Sequence, residues 1–378
     1  MGWSAEAGVS APWPNPRPLA SGDCQSVPSV CIPTGKTWAI TGVAGFIGSH
    51  LLEAALIAGH RVVGIDNLSS GSVANLKDVE ARVGAEAWSR FRFYRSDIRA
   101  RDALRERFEG ADAVVHLAAL GGVTRSIEEP LLYHDVNVTG FLNVVDAARQ
   151  AGVGRIVYAS SSSVYGDASV LPQVEDLVGR PISPYAATKR ANEIDAAVYA
   201  TCFRMTLTGL RFFNVFGPRQ NAAGASTAVI PRWIQATVAG TAVTIHGDGS
   251  TTRDFTYVRN AVDASLLAVA RSAPGTAEVF NVACGRGTSL ADLQAMISGI
   301  VADQAPARGN APSPPRFEAF RPGDIRHSRA DLTKVADQLG YVPRFEVRRG
   351  IEETVAWHLV QPIHPRAAIS GSPRSQAR

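Results

Sequence analysis

The sequence predicts an α/β fold, a doubly wound parallel sheet joined to a smaller C-terminal lobe. Three observations lead there. Short β-type runs alternate with helical patterns as far as residue 213, and a glycine-rich turn lies between the first run and the first helix. After Asn214 the texture shifts to more Gly and Pro with less regular alternation. Strands separated by helical stretches imply βαβ units and a parallel sheet. A length of 378 residues suits two domains at roughly 100–200 residues each.

The elements follow in order. Thr37–Thr41 (TWAIT) is a β-type run, and Gly45–Ala58 is helical. Arg61–Ile65 is a second strand ending at Asp66, Phe91–Arg95 a third and Ala113–Leu117 a fourth. Leu131–Ala151 reads as one long helix, Arg155–Ser160 as a fifth strand, Tyr185–Phe203 as a helix and Met205–Arg211 as a sixth strand. Glu278–Ala283 is strand-like and is expected to return to the sheet. Right-handed crossovers put every strand's C-terminal end on one edge, where such sheets bind ligands.

With 46% apolar and 19% charged residues, the chain has a globular profile, which excludes a disordered, collagenous or disulfide-stapled whole. Its net charge of +4 is weak evidence for nucleic acid, because Arg366, Arg374 and Arg378 in the C-terminal tail supply most of the excess. Four cysteines (Cys24, Cys31, Cys202 and Cys284) show neither a CxxC pair nor zinc spacing, so no metal site is expected. Sparse cysteine suits a reducing compartment. No signal-type or membrane-spanning apolar stretch is seen, so a cytoplasmic protein without membrane contact is expected.

Thr41-Gly42-Val43-Ala44-Gly45-Phe46-Ile47-Gly48 is a GxxGxxG turn between a strand and a helix. Gly42 allows the tight turn, Gly45 lets the backbone approach a pyrophosphate, and Gly48 lets the helix pack on the strand. The helix start, with Phe46 and Ile47, offers free N–H groups and a partial positive charge to phosphates. Asp66, 18 residues after Gly48 at the end of the second strand, suits the ribose hydroxyls of NAD and repels the 2′-phosphate of NADP. The context is that of a Rossmann-type dinucleotide site. Asp97 is placed to meet the adenine amino group or to act as an ordinary turn aspartate, and His116 reads as a core histidine.

Tyr185 and Lys189 form YxxxK, which puts them on one helix face. Ser183 and Pro184 make a good helix start. A cation beside a phenol is expected to lower its pKa, making Tyr185 a candidate general base. The run Ser160-Ser161-Ser162-Ser163-Val164-Tyr165-Gly166 directly follows the fifth strand, where a hydroxyl faces the cofactor cleft.

These residues carry a resemblance. Over about residues 36–360 the chain resembles the extended short-chain dehydrogenase/reductase family and, within it, the NAD-dependent nucleotide-sugar 4-epimerases, most of all bacterial UDP-N-acetylglucosamine 4-epimerases. TGVAGFIGSHLLE, HLAALGGVTRSIEEP, YASSSSVYGD, SPYAATKRANE, RFFNVFGPRQ, AVIPRW, GDGSTTRDF and FRPGDIRHSRAD carry it. The resemblance implies that Tyr185 is the base and Lys189 its electrostatic partner. Counted four residues back from Tyr165, Ser161 is the hydroxyl partner, with Ser162 next in line.

It further implies NAD held by Gly42, Gly45, Phe46, Ile47, Gly48, Asp66, Asn67, Asp97, Ile98, Ala118, Tyr185 and Lys189. The UDP-sugar would meet Gly122, Ser161, Ser162, Ser163, Asn214, Ala228, Val229, Trp233, Arg253, Arg321, Asp324 and Ser328. Arg253 and Arg321 match diphosphate positions, where a guanidinium fork suits phosphate oxygens. Read alone, Trp233 would be a core residue. Gly122 stands in place of the more usual serine and His246 in place of an asparagine.

Ser328 matches a pocket-wall position where a small residue leaves room for an N-acetyl group. The expected activity is therefore 4-epimerisation of UDP-GlcNAc and UDP-GalNAc, with UDP-glucose and UDP-galactose as further substrates, through a transient 4-keto sugar. The alternative is a UDP-uronic acid 4-epimerase or decarboxylase, with Arg125 or another arginine facing the carboxylate. Dehydration is disfavoured, since Ser162 and Ser163 stand where its acid pair would be. The expected division is a flexible leader at 1–35, an NAD-binding domain at 36–213 with 259–283 returning to it, a UDP-sugar lobe at 214–258 and 284–363, and a flexible tail at 364–378. The resemblance also implies a homodimer through the helices around 131–151 and 185–203.

Overall fold

The computed structural model describes residues 34–221, 228–306, 313–320 and 325–360. The expected leader and tail therefore lie almost wholly outside the described residues. Strands β1 (Thr37–Thr41), β2 (Arg61–Asp66), β3 (Phe91–Arg95), β4 (Ala113–His116), β5 (Arg155–Ser161) and β6 (Thr206–Phe212) fall within a residue of their predicted bounds. Short strands β7 (Val215–Phe216), β8 (Thr244–His246), β9 (Thr252–Arg253) and β10 (Thr256–Tyr257) follow, then β11 (Ala277–Val282), β12 (Thr288–Ser289) and β13 (Arg316–Glu318).

Seven strands form one sheet in the order β11-β6-β5-β4-β1-β2-β3, every neighbouring pair parallel. The order turns round at β1, which pairs with β2 on one side and β4 on the other. The crevice beyond the carboxyl ends of β1 and β4 is where such sheets take ligands.

Helices cover both faces. On one, α1 (Phe46–Ile57), α2 (Val73–Trp88, broken at Gly84) and α9 (Val258–Arg271) bury Leu51, Leu52, Val79, Ala261 and Leu267 against the sheet. On the other, α3 (Arg101–Phe108), α6 (Gly140–Gln150) and α7 (Pro184–Phe203) bury Phe108, Phe141, Val144 and Ala196.

The single helix expected over 131–151 is three segments. After α4 (Val123–Glu128), α5 (Pro130–His134) runs into a π-helical turn at Asp135–Thr139 before α6 begins. Inside that turn the Asn137 amide accepts from Leu120 N at 2.8 Å and donates to Leu120 O at 3.0 Å and Thr188 Oγ1 at 3.2 Å. Periodicity cannot register such a bulge, because its partners come from distant segments. π-bulges of this kind gather at functional sites.

A further core joins α8 (Val229–Val238), α10 (Leu290–Gln304) and α12 (Val347–Val360) through Ile230, Trp233, Ile234, Leu293, Ile297, Ile351 and Val355. The short helix α11 (Thr333–Leu339) packs back against α9 and β11. Arg219, buried and in the left-handed region at φ 63°, donates to Asp78 of α2 at 2.7 Å and pairs with Glu53 of α1. It thereby ties the chain that follows β7 to the glycine-turn helix.

Candidate active site

The glycine turn is built as its spacing demands. Gly42 has φ 71°, and a Cβ there would lie 2.7 Å from Ala118 N. A Cβ on Gly48 would lie 2.1 Å from the Gly42 carbonyl oxygen, so only glycine lets α1 start this close to β1. Gly45 caps α1 without any side-chain hydrogen bond to the first-turn amides. That end is an uncapped set of donors with the positive end of a helix dipole behind it. The Phe46 and Ile47 side chains pack against the third core, so it is their backbone that faces phosphate. A cleft opens here, bordered by Gly42, Gly45, Asp66, Asn67, Ile98 and Ala118.

Asp66 is buried, and its Oδ2 accepts from Ala44 N at 3.0 Å while Oδ1 accepts from Leu68 N at 2.8 Å. Burial raises its pKa against the pull of those two N–H groups. Each oxygen keeps a lone pair, so the carboxylate braces its own loop and can still accept a ribose hydroxyl.

Asp97 is differently placed. Arg99 N and Nε both donate to its Oδ1 at 2.9 Å, while Arg99 Nη2 and Asn67 Nδ2 donate to Oδ2 at 2.9 Å. The Arg99 hydrogen bonds, ahead of all other influences, hold this carboxyl well below the usual range. All four acceptor positions are taken, so an adenine amino group would have to displace a donor. Arg99, which also reaches Asp135 Oδ2 at 2.8 Å, was the unforeseen element.

The catalytic candidates converge at the ends of β5 and α7. Ser183 caps α7, its hydroxyl accepting from Ala186 N at 3.1 Å, with Pro184 in the first turn. Tyr185 and Lys189 follow one helical turn apart. The Lys189 ammonium donates to the Ala159 carbonyl at 2.8 Å and lies 6.0 Å from the centre of the Tyr185 ring.

Burial lowers the Lys189 pKa to about 8, with Glu193 pulling the other way. Desolvation raises the Tyr185 phenol even though its ring keeps an accessible edge, and a hydrogen bond with Ser161 opposes the rise. Here the sequence-based expectation needs correcting. Lys189 was expected to lower the phenol, but in this state desolvation outweighs the other influences and decides the direction.

The serines divide their work. Ser161, at the end of β5, acts on the phenol and also accepts from Ser163 N at 3.2 Å. Ser160 turns away and donates to Glu193 Oε1 at 2.6 Å. Ser162 opens the following 3₁₀ turn, and the Ser163 hydroxyl is buried without a partner among the described residues. His116 is a core residue, its Nδ1 2.7 Å from Thr41 Oγ1, and burial lowers its pKa to about 3.

A buried polar network under this site was not foreseen. Glu193 accepts from Arg211 Nε at 2.8 Å, Arg211 Nη2 at 2.9 Å and Arg190 Nη1 at 2.9 Å. Burial works to raise its pKa, but these bonds outweigh it and the net shift is downward. Arg211 also donates to Glu175 O at 2.8 Å and faces the Tyr165 ring, whose hydroxyl donates to Asn281 Oδ1 at 2.6 Å. The i, i+4 step from Lys189 to Glu193 was the available signal.

Across the cleft, Arg253 Nη1 donates to Thr252 O at 3.0 Å and Arg326 O at 3.3 Å. Asn214, at φ 39°, donates to Asp254 O at 3.2 Å. The Ser328 side chain is buried with no partner for its hydroxyl among the described residues. Gly122, at φ 98°, opens α4, while Ala228 and Val229 open α8. Trp233 lies wholly within the third core, as a core residue would. Arg321 and Asp324 lie outside the described residues. Arg125 is paired with Glu129 at 2.5 Å on the surface. No group of three or more potential metal ligands occurs among the described residues, and no described helix is long and apolar enough to cross a membrane.

The chain was compared with known proteins. A UDP-glucose 4-epimerase of Mycolicibacterium smegmatis is 39% identical over 319 residues, covering 84% of this chain and 96% of that protein. The solved UDP-N-acetylglucosamine 4-epimerase of Methanobrevibacter ruminantium, in complex with UDP-N-acetylmuramic acid, superposes with a TM-score of 0.78 at 33% identity, over 86% of this chain and 99% of that one. A UDP-glucuronic acid 4-epimerase of Bacillus cereus, solved with UDP-glucuronic acid and NAD, gives 0.75 at 31% identity, over 85% and 98%. The model of the NAD dependent epimerase/dehydratase family matches residues 38–283. With the glycine turn, Asp66 and the Tyr185–Lys189 pair in place, the chain is an enzyme of the NAD dependent epimerase/dehydratase family, and its cofactor is NAD.

Proposed function

We propose that the protein is a 4-epimerase of UDP-sugars, acting on UDP-GlcNAc and UDP-GalNAc, with UDP-glucose and UDP-galactose as further substrates. The observation that carries this is the Ser161 hydroxyl acting on the Tyr185 phenol, one helical turn from the Lys189 ammonium. Tyr185 takes the proton of the sugar 4-hydroxyl, and Ser161 holds that oxygen in line. Lys189 lends positive charge beneath the ring. NAD, when bound, supplies the hydride acceptor and donor for C4. The 4-keto sugar turns over between the two transfers, and Tyr185 returns the proton to its C4 oxygen, which gives the opposite alcohol. Net redox change is zero.

Turning the sugar over requires a firm grip on the diphosphate and a loose one on the hexose. Residues 214–258 and 284–363 form the gripping lobe in this proposal, with Arg253 and Arg321 on the diphosphate. The buried, small Ser328 favours N-acetylated sugars, because it leaves space at the pocket wall. A homodimer fits the α7 surface, where Ile194 and Val198 are about half exposed beside a shallow groove. The test is separate incubation with UDP-GlcNAc, UDP-glucose and UDP-glucuronate, with NMR of the products. Expected is interconversion at C4 of the N-acetylhexosamine. Turnover of UDP-glucuronate alone would transfer the assignment to a uronic acid epimerase or decarboxylase, and accumulating NADH would refute epimerisation.

A further inference from the structure

Asp254 has no exposed surface. A buried carboxylate is costly unless its oxygens are hydrogen-bonded, and an apolar residue of similar size would avoid the cost. The reason for a carboxylate is therefore to be sought in what it holds. Its Oδ1 accepts from Cys284 N at 2.9 Å and its Oδ2 from Ala330 N at 3.2 Å. The Gly285 and Arg286 N–H groups also favour its charged form.

Three successive amides closing on one anion, with Gly285 at φ 72°, form a backbone nest. Here the chain's own side chain fills it. The bonds fasten three separate segments together: the strand end at 252–254, the turn after β11, and the run 328–330. Thr252 repeats the connection, its N donating to Arg326 O at 3.0 Å and its carbonyl accepting from Ser328 N at 3.2 Å. Asn214 Nδ2 donates to the Asp254 carbonyl.

Arg253 and Ser328 stand on two of these segments, and Asn214 is bonded to the Asp254 carbonyl. We propose that Asp254 is a positioning residue of the nucleotide-sugar site, setting where the Arg253 guanidinium, the Asn214 amide and the Ser328 wall stand relative to one another. This rests on the proposal that the lobe holds a UDP-sugar. Asp254 touches no substrate and acts through the backbone it gathers.

The test uses full-length, NAD-loaded protein and two variants that break the contact from opposite sides. Asp254→Asn turns an NH₂ toward amides that need an acceptor, and Gly285→Ala strains the left-handed residue of the nest. Each is expected to raise KM for UDP-GlcNAc and Kd for UDP about tenfold, the latter by calorimetry, with kcat held within about twofold and bound NAD retained. Unchanged KM and Kd in either folded variant would overturn the proposal. So would loss of folded protein in both variants by circular dichroism, which would assign Asp254 to stability alone. Wild-type protein that binds UDP without epimerising any UDP-sugar would refute the proposed activity, and the UDP titrations would still decide the role of Asp254. Wild-type protein that binds no uridine nucleotide would refute both.

Discussion

Ser160 donates to Glu193 across 2.6 Å, and this bond fastens the strand that carries Ser161 to the helix that carries Tyr185 and Lys189. The neighbour of the proposed catalytic serine is thus a structural pin. Glu193 completes it by closing on Arg211, which is almost wholly buried in β6.

Glu193→Gln leaves the Arg211 guanidinium buried against a neutral amide. Removing one partner of a buried pair costs about 3–5 kcal/mol. The variant should unfold at clearly lower denaturant with an unchanged m-value, measured by urea titration. A loss below about 1 kcal/mol would mean that solvent reaches the guanidinium and screens its charge.

Tyr185→Phe should abolish turnover while retaining bound NAD. Ser161→Ala should lower kcat by about 10²–10⁴, the range for a positioned proton-transfer group. Ser162→Ala should lower it far less. Steady-state kinetics on the three variants decides this, and equal losses at Ser161 and Ser162 would contradict the division of work among the serines.

Gly48→Ala would place a methyl carbon 2.1 Å from the Gly42 carbonyl oxygen. The first turn of α1 must then move off β1, carrying the phosphate-facing amides with it. Purified Gly48→Ala should hold NAD at least tenfold more weakly, as read by fluorescence titration with NADH. Wild-type affinity would show that the turn can flex without cost.

His116 stays neutral in the folded protein until about pH 3, whereas the unfolded chain takes up its proton near 6.5. Between those values the unfolded state binds more protons, so this histidine makes stability fall as the pH falls. A full proton corresponds to about 1.4 kcal/mol per pH unit. His116→Asn should flatten the slope of unfolding free energy between pH 6 and 4 by about that amount, measured by urea unfolding at several pH values. An unchanged slope would show that the ring takes up its proton within the fold.

The strands were legible because each is a short run of β-branched or aromatic residues closed by turn residues, and the glycine turn because its spacing imposes one geometry. Tyr185 and Lys189 were legible for a similar reason, since helix periodicity fixes their common face. What escaped depends on contacts distant in sequence. Asn137 interrupts a regular helix to bond Leu120, and Asp97 is saturated by Arg99. The second lobe's two-residue strands exist only through partners such as Arg253 opposite Thr288. The phenol's upward shift also escaped, because desolvation is a property of the packed cleft and not of a motif.

The placement of β11 beside β6 governs how the molecule is made. All of β6 is buried, yet its outer partner begins at Ala277, 65 residues beyond Phe212. At roughly 5–20 residues per second, a ribosome takes about 3–13 s to supply it. Until then a nascent chain carries a strand destined for full burial as a naked edge, the kind of template that recruits other chains. Co-translational handling is thus most needed after the cofactor half has formed and before α9 and β11 emerge.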